Sequence, residues 1–163
     1  MVQLVIPYSN NRDIFSPFFA PIRMFGVLRN FDYVIAKTLF QKNFLESEHP
    51  YFKGAWDRRT REHSYGLWIE GCLIGIAIVC DTKLEYICID PSHQGGGWGS
   101  KLLQFVLSTC PTLYLNPADD PALCQWYERH GFQLSNEFEY PTFTTRCYVR
   151  HQYYTRSKDT RKI

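Results

Sequence analysis

The chain lacks several things that would settle its class at once. No apolar run in its 163 residues approaches the ~20 residues that a membrane-spanning helix needs, so no helical membrane span is expected. The opening stretch Met1–Pro7 has no basic residue and is too short for a secretory leader, so none is expected there. No Cys-x-x-Cys pair occurs among the six cysteines, and no Cys/His cluster has zinc spacing; no metal is expected. Cys72, Cys80, Cys88, Cys110, Cys124 and Cys147 mostly sit in apolar strand or helix contexts, where a free cysteine packs as a small hydrophobe. That usage suits a reduced, cytoplasmic compartment. Repeats, low-complexity tracts and linkers are missing too, so one domain over residues 1–150 is expected.

Net charge is only +2, but it is uneven. Residues 151–163 with Arg150 hold five basic residues against one acidic, a net of +4, which leaves the body at −2. A basic tail of this kind suits either a solvated terminus or contact with nucleic acid or an acidic partner. What is plentiful is apolar and aromatic: 45% hydrophobic and 17% aromatic residues, enough for a core and for aromatic-lined surfaces.

One stretch organises the rest. From Leu84 to Pro91 the chain is apolar and β-branched; Ser92-His93-Gln94-Gly95-Gly96-Gly97-Trp98-Gly99-Ser100-Lys101 comes next. Trp98, Leu102, Leu103, Val106 and Cys110 then recur at helical spacing. The order is strand, glycine loop, helix. Glycines let a backbone approach a ligand closely, and a helix N-terminus favours negative charge. The place suits a phosphate. It is not a Walker A loop, because Ser100 separates Gly99 from Lys101, and not a dinucleotide fingerprint, because Ser100 occupies the last glycine position.

A second stretch runs from Asp120 to Phe132. Asp120 is a good N-cap and Pro121 a good first helical residue. Leu123, Trp126, Tyr127 and His130 share one helical face, and Gly131 ends the helix.

Gln94-x-x-Gly97-x-Gly99 after a strand resembles the acetyl-CoA pyrophosphate loop of the GNAT superfamily of N-acetyltransferases. Tyr127-Glu128-x-x-Gly131-Phe132 looks like the later motif of that superfamily. The resemblance covers roughly residues 64–149. It implies an α/β fold: a mixed, mostly antiparallel sheet with helices on both faces. It implies acetyl-CoA as cosubstrate, with Gln94, Gly95, Gly96, Gly97, Trp98, Gly99 and Ser100 around the pyrophosphate and Lys101 adding charge. The backbone of Ile87, Cys88 and Ile89 would pair with the pantetheine arm. The basic residue that many members carry where Gly96 stands is missing here.

Acetyl transfer to an amine needs a group to take the amine's proton and one to protonate the leaving thiolate. By resemblance Tyr127 is the general acid; a phenol's ordinary pKa of ~10 lies just above that of a thiol. A core aromatic on an amphipathic helix is the plain alternative. Glu85 is the candidate base, sharing strand parity with Ile87 and Ile89. Its alternative is a Glu paired with Lys83, and ordered water is a third route. Cys88 and Cys124 lie nearby without a base to activate them. His93 is expected to face solvent, and His130 to be structural.

The resemblance implies as acceptor a primary amine, of a small molecule, peptide or aminoacyl compound, and a groove for it built by residues 8–56 and 135–142. The rival of another class is a CoA-binding regulatory module without turnover, and a homodimer is left open. Predicted elements are strands at 2–6, 65–70, 72–80, 84–89, 112–115, from Phe132, and 143–151. Helices are predicted at 31–45, with Phe31, Ile35, Leu39 or Phe40, and Phe44 on one side, from Trp98 to Cys110 and at 121–130, with a loop over 46–60.

Overall fold

The computed structural model describes residues 23–118, 120–135 and 147–150. The strands are β1 (Arg23–Val27), β2 (Tyr65–Ile69), β3 (Cys72–Cys80), β4 (Lys83–Ile89), β5 (Leu113–Leu115), β6 (Gln133–Ser135) and β7 (Cys147–Arg150). The helices are α1 (Tyr33–Asn43), α2 (His49–Arg58), α3 (Trp98–Thr109) and α4 (Pro121–Arg129). The predicted strand at 2–6, the loop at 136–142, the start of the predicted last strand and the basic tail lie outside the described residues.

Glu70 and Gly71 both take positive φ, 50° and 80°, the conformation that a two-residue hairpin turn demands. That turn folds β2 onto β3, and Asp81 (φ 54°) helps fold β3 onto β4. The resulting sheet runs β1-β2-β3-β4-β5-β7-β6. Every pairing in it is antiparallel except β4 with β5. This is the mixed, mostly antiparallel sheet that the sequence implied.

Burial on both faces explains why β3 reads as a continuous apolar run. On one face Leu73, Ile76 and Ile78 meet Ala36, Leu39 and Phe40 of α1 and Phe52, Ala55 and Trp56 of α2. On the other, Ile74, Ala77 and Val79 meet Leu102, Leu103 and Val106 of α3 and Cys124 and Tyr127 of α4. Leu73 shares a face with Ile76, three residues on, because the β2–β3 register slips between Leu67 and Trp68. One extra residue in a strand reverses the alternation beyond it.

Two helical expectations need correction. Residues 46–60 are not a loop: α2 occupies most of them. Pro50 stands in its first turn, where a missing N–H costs nothing, and Phe52, Ala55 and Trp56 bury one stripe. In the predicted helix 31–45, Phe31, which precedes α1, and Ile35 do not face inward. They are 74% and 54% exposed, while Ala36, Leu39 and Phe40 are buried. A short 3-10 turn at Asn30–Asp32 precedes the α-helix, so a stripe extrapolated from Phe31 starts in the wrong phase.

Candidate active site

β4 and β5 pair at one position, Lys83 with Tyr114, next to a bond from the Tyr114 N–H to the Thr82 carbonyl of 3.0 Å. Beyond it the strands part. A cavity of about 600 Å³ opens there. One wall is β4 from Leu84 to Ile89; the other is Leu115 with Asn116, Pro117 and Ala118. The carboxyl end of a parallel pair, where neighbouring strands diverge, is a usual position for a ligand in α/β folds.

The glycine loop closes one end. Gly95 and Gly97 have φ of 82° and 76°, and Gly97 is the N-cap of α3. The first N–H to reach back along the helix is that of Lys101, bonded to Gly97 O; the N–H groups of a first helical turn have no acceptor on the helix itself. Gly95, Gly97, Trp98, Gly99 and Ser100 line the cavity. This donor set, at the positive end of a helix, fits an anion such as a pyrophosphate. A Cβ at Gly95 or Gly97 would meet nothing within 4 Å, so their need for glycine is conformational. Gln94 holds the loop in place, its Nε2 donating to the Ile89 carbonyl at 3.0 Å and to Asn43 Oδ1 at 2.8 Å.

Gly96 and Lys101 stand outside the lining. Lys101 Nζ instead lies 4.5 Å from the centroid of the Trp98 ring, a cation–π placement. Ile87, Cys88 and Ile89 are on the wall, with β3 on one edge and the cavity on the other. His93 is half-buried rather than exposed; it lines the cavity and its Nδ1 is 2.9 Å from Ser92 Oγ.

Glu85 also lines the cavity. Its carboxylate pairs with Lys83 at 2.8 Å, the two side chains being 18% and 29% exposed. The strand is irregular at this residue. The β3–β4 register shifts between Ile78, opposite Tyr86, and Val79, opposite Leu84, which leaves Glu85 as the bulged residue. Leu84 consequently joins Ile87 and Ile89 on the α3 side, and Tyr86 and Cys88 pack on the α1 side. Bulges re-aim side chains and are common beside sites.

Tyr127 comes from α4, which Asp120 caps by accepting from the N–H groups of Ala122 and Leu123 at 2.8 and 3.4 Å. Its ring packs edge-on to Trp126 and Phe132, and it is 6% exposed. It is therefore both a core aromatic and a cavity residue. Burial, with Cys124 as a smaller influence, raises the phenol pKa well above its ordinary value. The group stays protonated at any working pH. Cys88 is likewise pushed up, to about 12, by burial and then Asp90, which leaves it a thiol and no nucleophile.

Sequence reasoning passed over Asn116, Pro117 and Ala118, which carry no motif; their signal was position, just past a parallel strand. Asn43 and Phe44 also line the cavity and fall within the broad segment assigned to the acceptor groove. Among the described residues, no group of three or more His, Cys, Asp or Glu could hold a metal ion, and no helix is long and apolar enough to cross a membrane.

The sequence model of an acetyltransferase (GNAT) domain matches residues 61–134, which include the wall, the loop and α4. No curated protein matches by sequence. Solved structures do match in fold. The ribosomal-protein-S18-alanine N-acetyltransferase of Escherichia coli aligns with TM-score 0.60 at 21% identity, over 78% of this chain and 91% of that one. Arabidopsis thaliana Naa50, bound to the bisubstrate analogue CoA-Ac-MVNAL, aligns with TM-score 0.60 at 17% identity, over 78% and 95%. The spermidine/spermine N-acetyltransferase SpeG of Vibrio cholerae aligns with TM-score 0.54 at 20% identity, over 83% and 96%.

Proposed function

We propose, since this chain is a member of the GNAT superfamily with its acetyltransferase domain at residues 61–134, that it moves an acetyl group from acetyl-CoA to a primary amine. One observation carries the reading: a single cavity joins the anion-favouring loop, the unpaired edge of β4, Glu85 and Tyr127. Transfer is direct, within a complex of both substrates. The amine nitrogen bonds to the thioester carbonyl carbon, the carbon–sulfur bond breaks, and the sulfur leaves with the bonding pair.

Each residue has a part. The N–H groups around Gly97–Ser100 hold the pyrophosphate. The free edge of Ile87–Ile89 takes the pantetheine arm as an added strand would be taken. Tyr127, kept protonated by burial, gives its proton to the departing sulfur. Glu85 takes the amine's proton, directly or through water, and its ion pair with Lys83 fixes where the carboxylate waits. The acceptor amine belongs to a small molecule, a peptide or an aminoacyl compound. The structural neighbours are named for a protein alanine, a peptide-bearing analogue and polyamines. We place the reaction in a reduced cytoplasmic setting, without a metal.

Thiol release from acetyl-CoA, screened across amines, peptides and aminoacyl compounds, tests the reading; CoA release with none of them, alongside tight CoA binding, favours a regulatory module. For the base, Glu85→Gln should lower turnover at neutral pH and recover in part at alkaline pH, where more amine is already neutral. A pH–rate profile identical to wild type assigns the proton to water or another group.

A further inference from the structure

The last turn of α1 is fastened to the start of the glycine loop at two neighbouring points. Lys42 Nζ lies 2.8 Å from Asp90 Oδ2. Asn43 Oδ1 accepts from Gln94 Nε2, also at 2.8 Å. Asp90 and Gln94 are the two caps of the 3-10 turn Pro91–His93 that leads into the loop. Both are also anchored locally. Asp90 Oδ1 accepts from the N–H and hydroxyl of Ser92 at 3.0 and 2.6 Å, and Gln94 Nε2 also donates to the Ile89 carbonyl. Lys42 and Asn43 thus grip a turn that is already stiff.

The residue after Asn43 matters as much. Phe44 leaves α1 with its N–H on the Phe40 carbonyl at 3.0 Å. Its ring stacks on Phe40 at 4.5 Å and meets Tyr86 edge-on at 5.3 Å. Phe44 and Tyr86 both line the cavity. The end of α1 therefore touches the anion-favouring loop with two side chains and forms a stretch of cavity wall with the next.

We propose that Lys42 and Asn43 are positioning residues that join the glycine loop and the Phe44 wall into one mechanical unit, so that a CoA molecule seated at the loop also orders the wall. The proposal rests on the reading of the cavity as a CoA site. An exposed ion pair or amide bond is weak alone. Two in parallel behave differently: while one holds, the broken partner stays within reach and re-forms, so release needs both to be open together. Coupling of this kind is reciprocal, and an acceptor lodged against Phe44 tightens CoA binding by the same factor.

Calorimetry with CoA and amide hydrogen exchange on the full chain test this, using wild type, Lys42→Met, Asn43→Leu, the double variant and Lys42→Arg. In wild type, CoA should slow exchange both at Trp98–Lys101 and in the last turn of α1. Single removals should weaken CoA by ~2–3-fold and the double by ~10-fold or more, beyond the product of the singles. In the double variant the loop should remain protected by CoA while the α1 turn does not. Lys42→Arg, which keeps the ion pair, should bind as wild type does, showing that a loss in Lys42→Met is not a folding defect. Protection of the loop without the α1 turn in wild type, or equal affinity in the double variant, overturns the coupling alone. Failure of wild type to bind CoA removes the cavity reading, and this proposal with it.

Discussion

Tyr127 uses its ring and its hydroxyl for different ends. The ring lies between Trp126 and Phe132 in the core, and Phe would keep that packing. Tyr127→Phe should therefore leave the melting temperature and CoA affinity nearly unchanged while reducing kcat by ~10²-fold or more, the scale on which a general acid acts. Steady-state kinetics beside a thermal melt separate the two roles; an unchanged kcat returns Tyr127 to the core alone. Cysteine chemistry divides just as sharply. Cys72 is exposed, whereas burial carries the Cys88 thiol from 9.0 to about 12. A maleimide at pH 8 should label Cys72 in the folded chain and spare Cys88. Stability responds to the same shift. Between 9 and 12 the unfolded thiol loses its proton while the folded one keeps it, so the contribution of Cys88 to stability falls as pH rises through that window. Urea melts at pH 8 and pH 10 should show a smaller loss in Cys88→Ala than in wild type.

Among the elements, the glycine loop makes the sharpest demand. Gly99 is helical, and a Cβ there would sit at ordinary contact distances, 3.7 Å from Trp126 and 3.9 Å from Ile89. Gly99→Ala should thus be tolerated in fold. Gly99→Glu adds a carboxylate to the cavity wall at the helix start and should weaken CoA by ~10-fold or more. Gly97→Ala strains a left-handed N-cap at ~1 kcal/mol. Calorimetry on the three variants distinguishes charge from backbone strain; equal CoA affinity in Gly99→Glu and wild type moves the site elsewhere. These elements were legible because their signals are local. A glycine cluster after a β-branched run and an Asp-Pro cap before an amphipathic run need no tertiary information. The elements misread were those where context overruled pattern. Pro50 stands in a first turn, so it opens α2, and the 3-10 turn before Tyr33 set the α1 stripe out of phase with its leading aromatic. The bulge at Glu85 was invisible for a similar reason: register belongs to a pair of strands, while the sequence describes one.

At the scale of the molecule, α1 and α2 cover one face of the sheet and α3 and α4 the other. A ligand in the cavity touches β4, β5, α3 and α4 at once, so its binding should stabilise the whole fold. At ~100 times its Kd, CoA should add about 2.7 kcal/mol, read as an upward shift of the thermal midpoint; a midpoint indifferent to CoA contradicts binding to the folded state. Why the cavity itself could not be foreseen is also a matter of scale. The motifs announce both ends of the site, but its size depends on how far β4 and β5 separate, and that is fixed by packing between residues some thirty positions apart.

The parting of β4 from β5 bears on how the chain assembles. β2 to β4 form a meander closed by tight turns, with short-range pairings that form early in folding, and β1 adds to it across the intervening α1 and α2. β5 reaches that meander through one registered pair, Lys83 with Tyr114, and through the crossover helix α3. The blade of β5 with β7 and β6 is therefore joined to the rest of the sheet by little backbone bonding, and its hold is the shared apolar core. Sub-global opening should begin along this seam, ahead of any loss within the meander. The groove is then where the chain comes apart first and where a bound molecule would hold it closed.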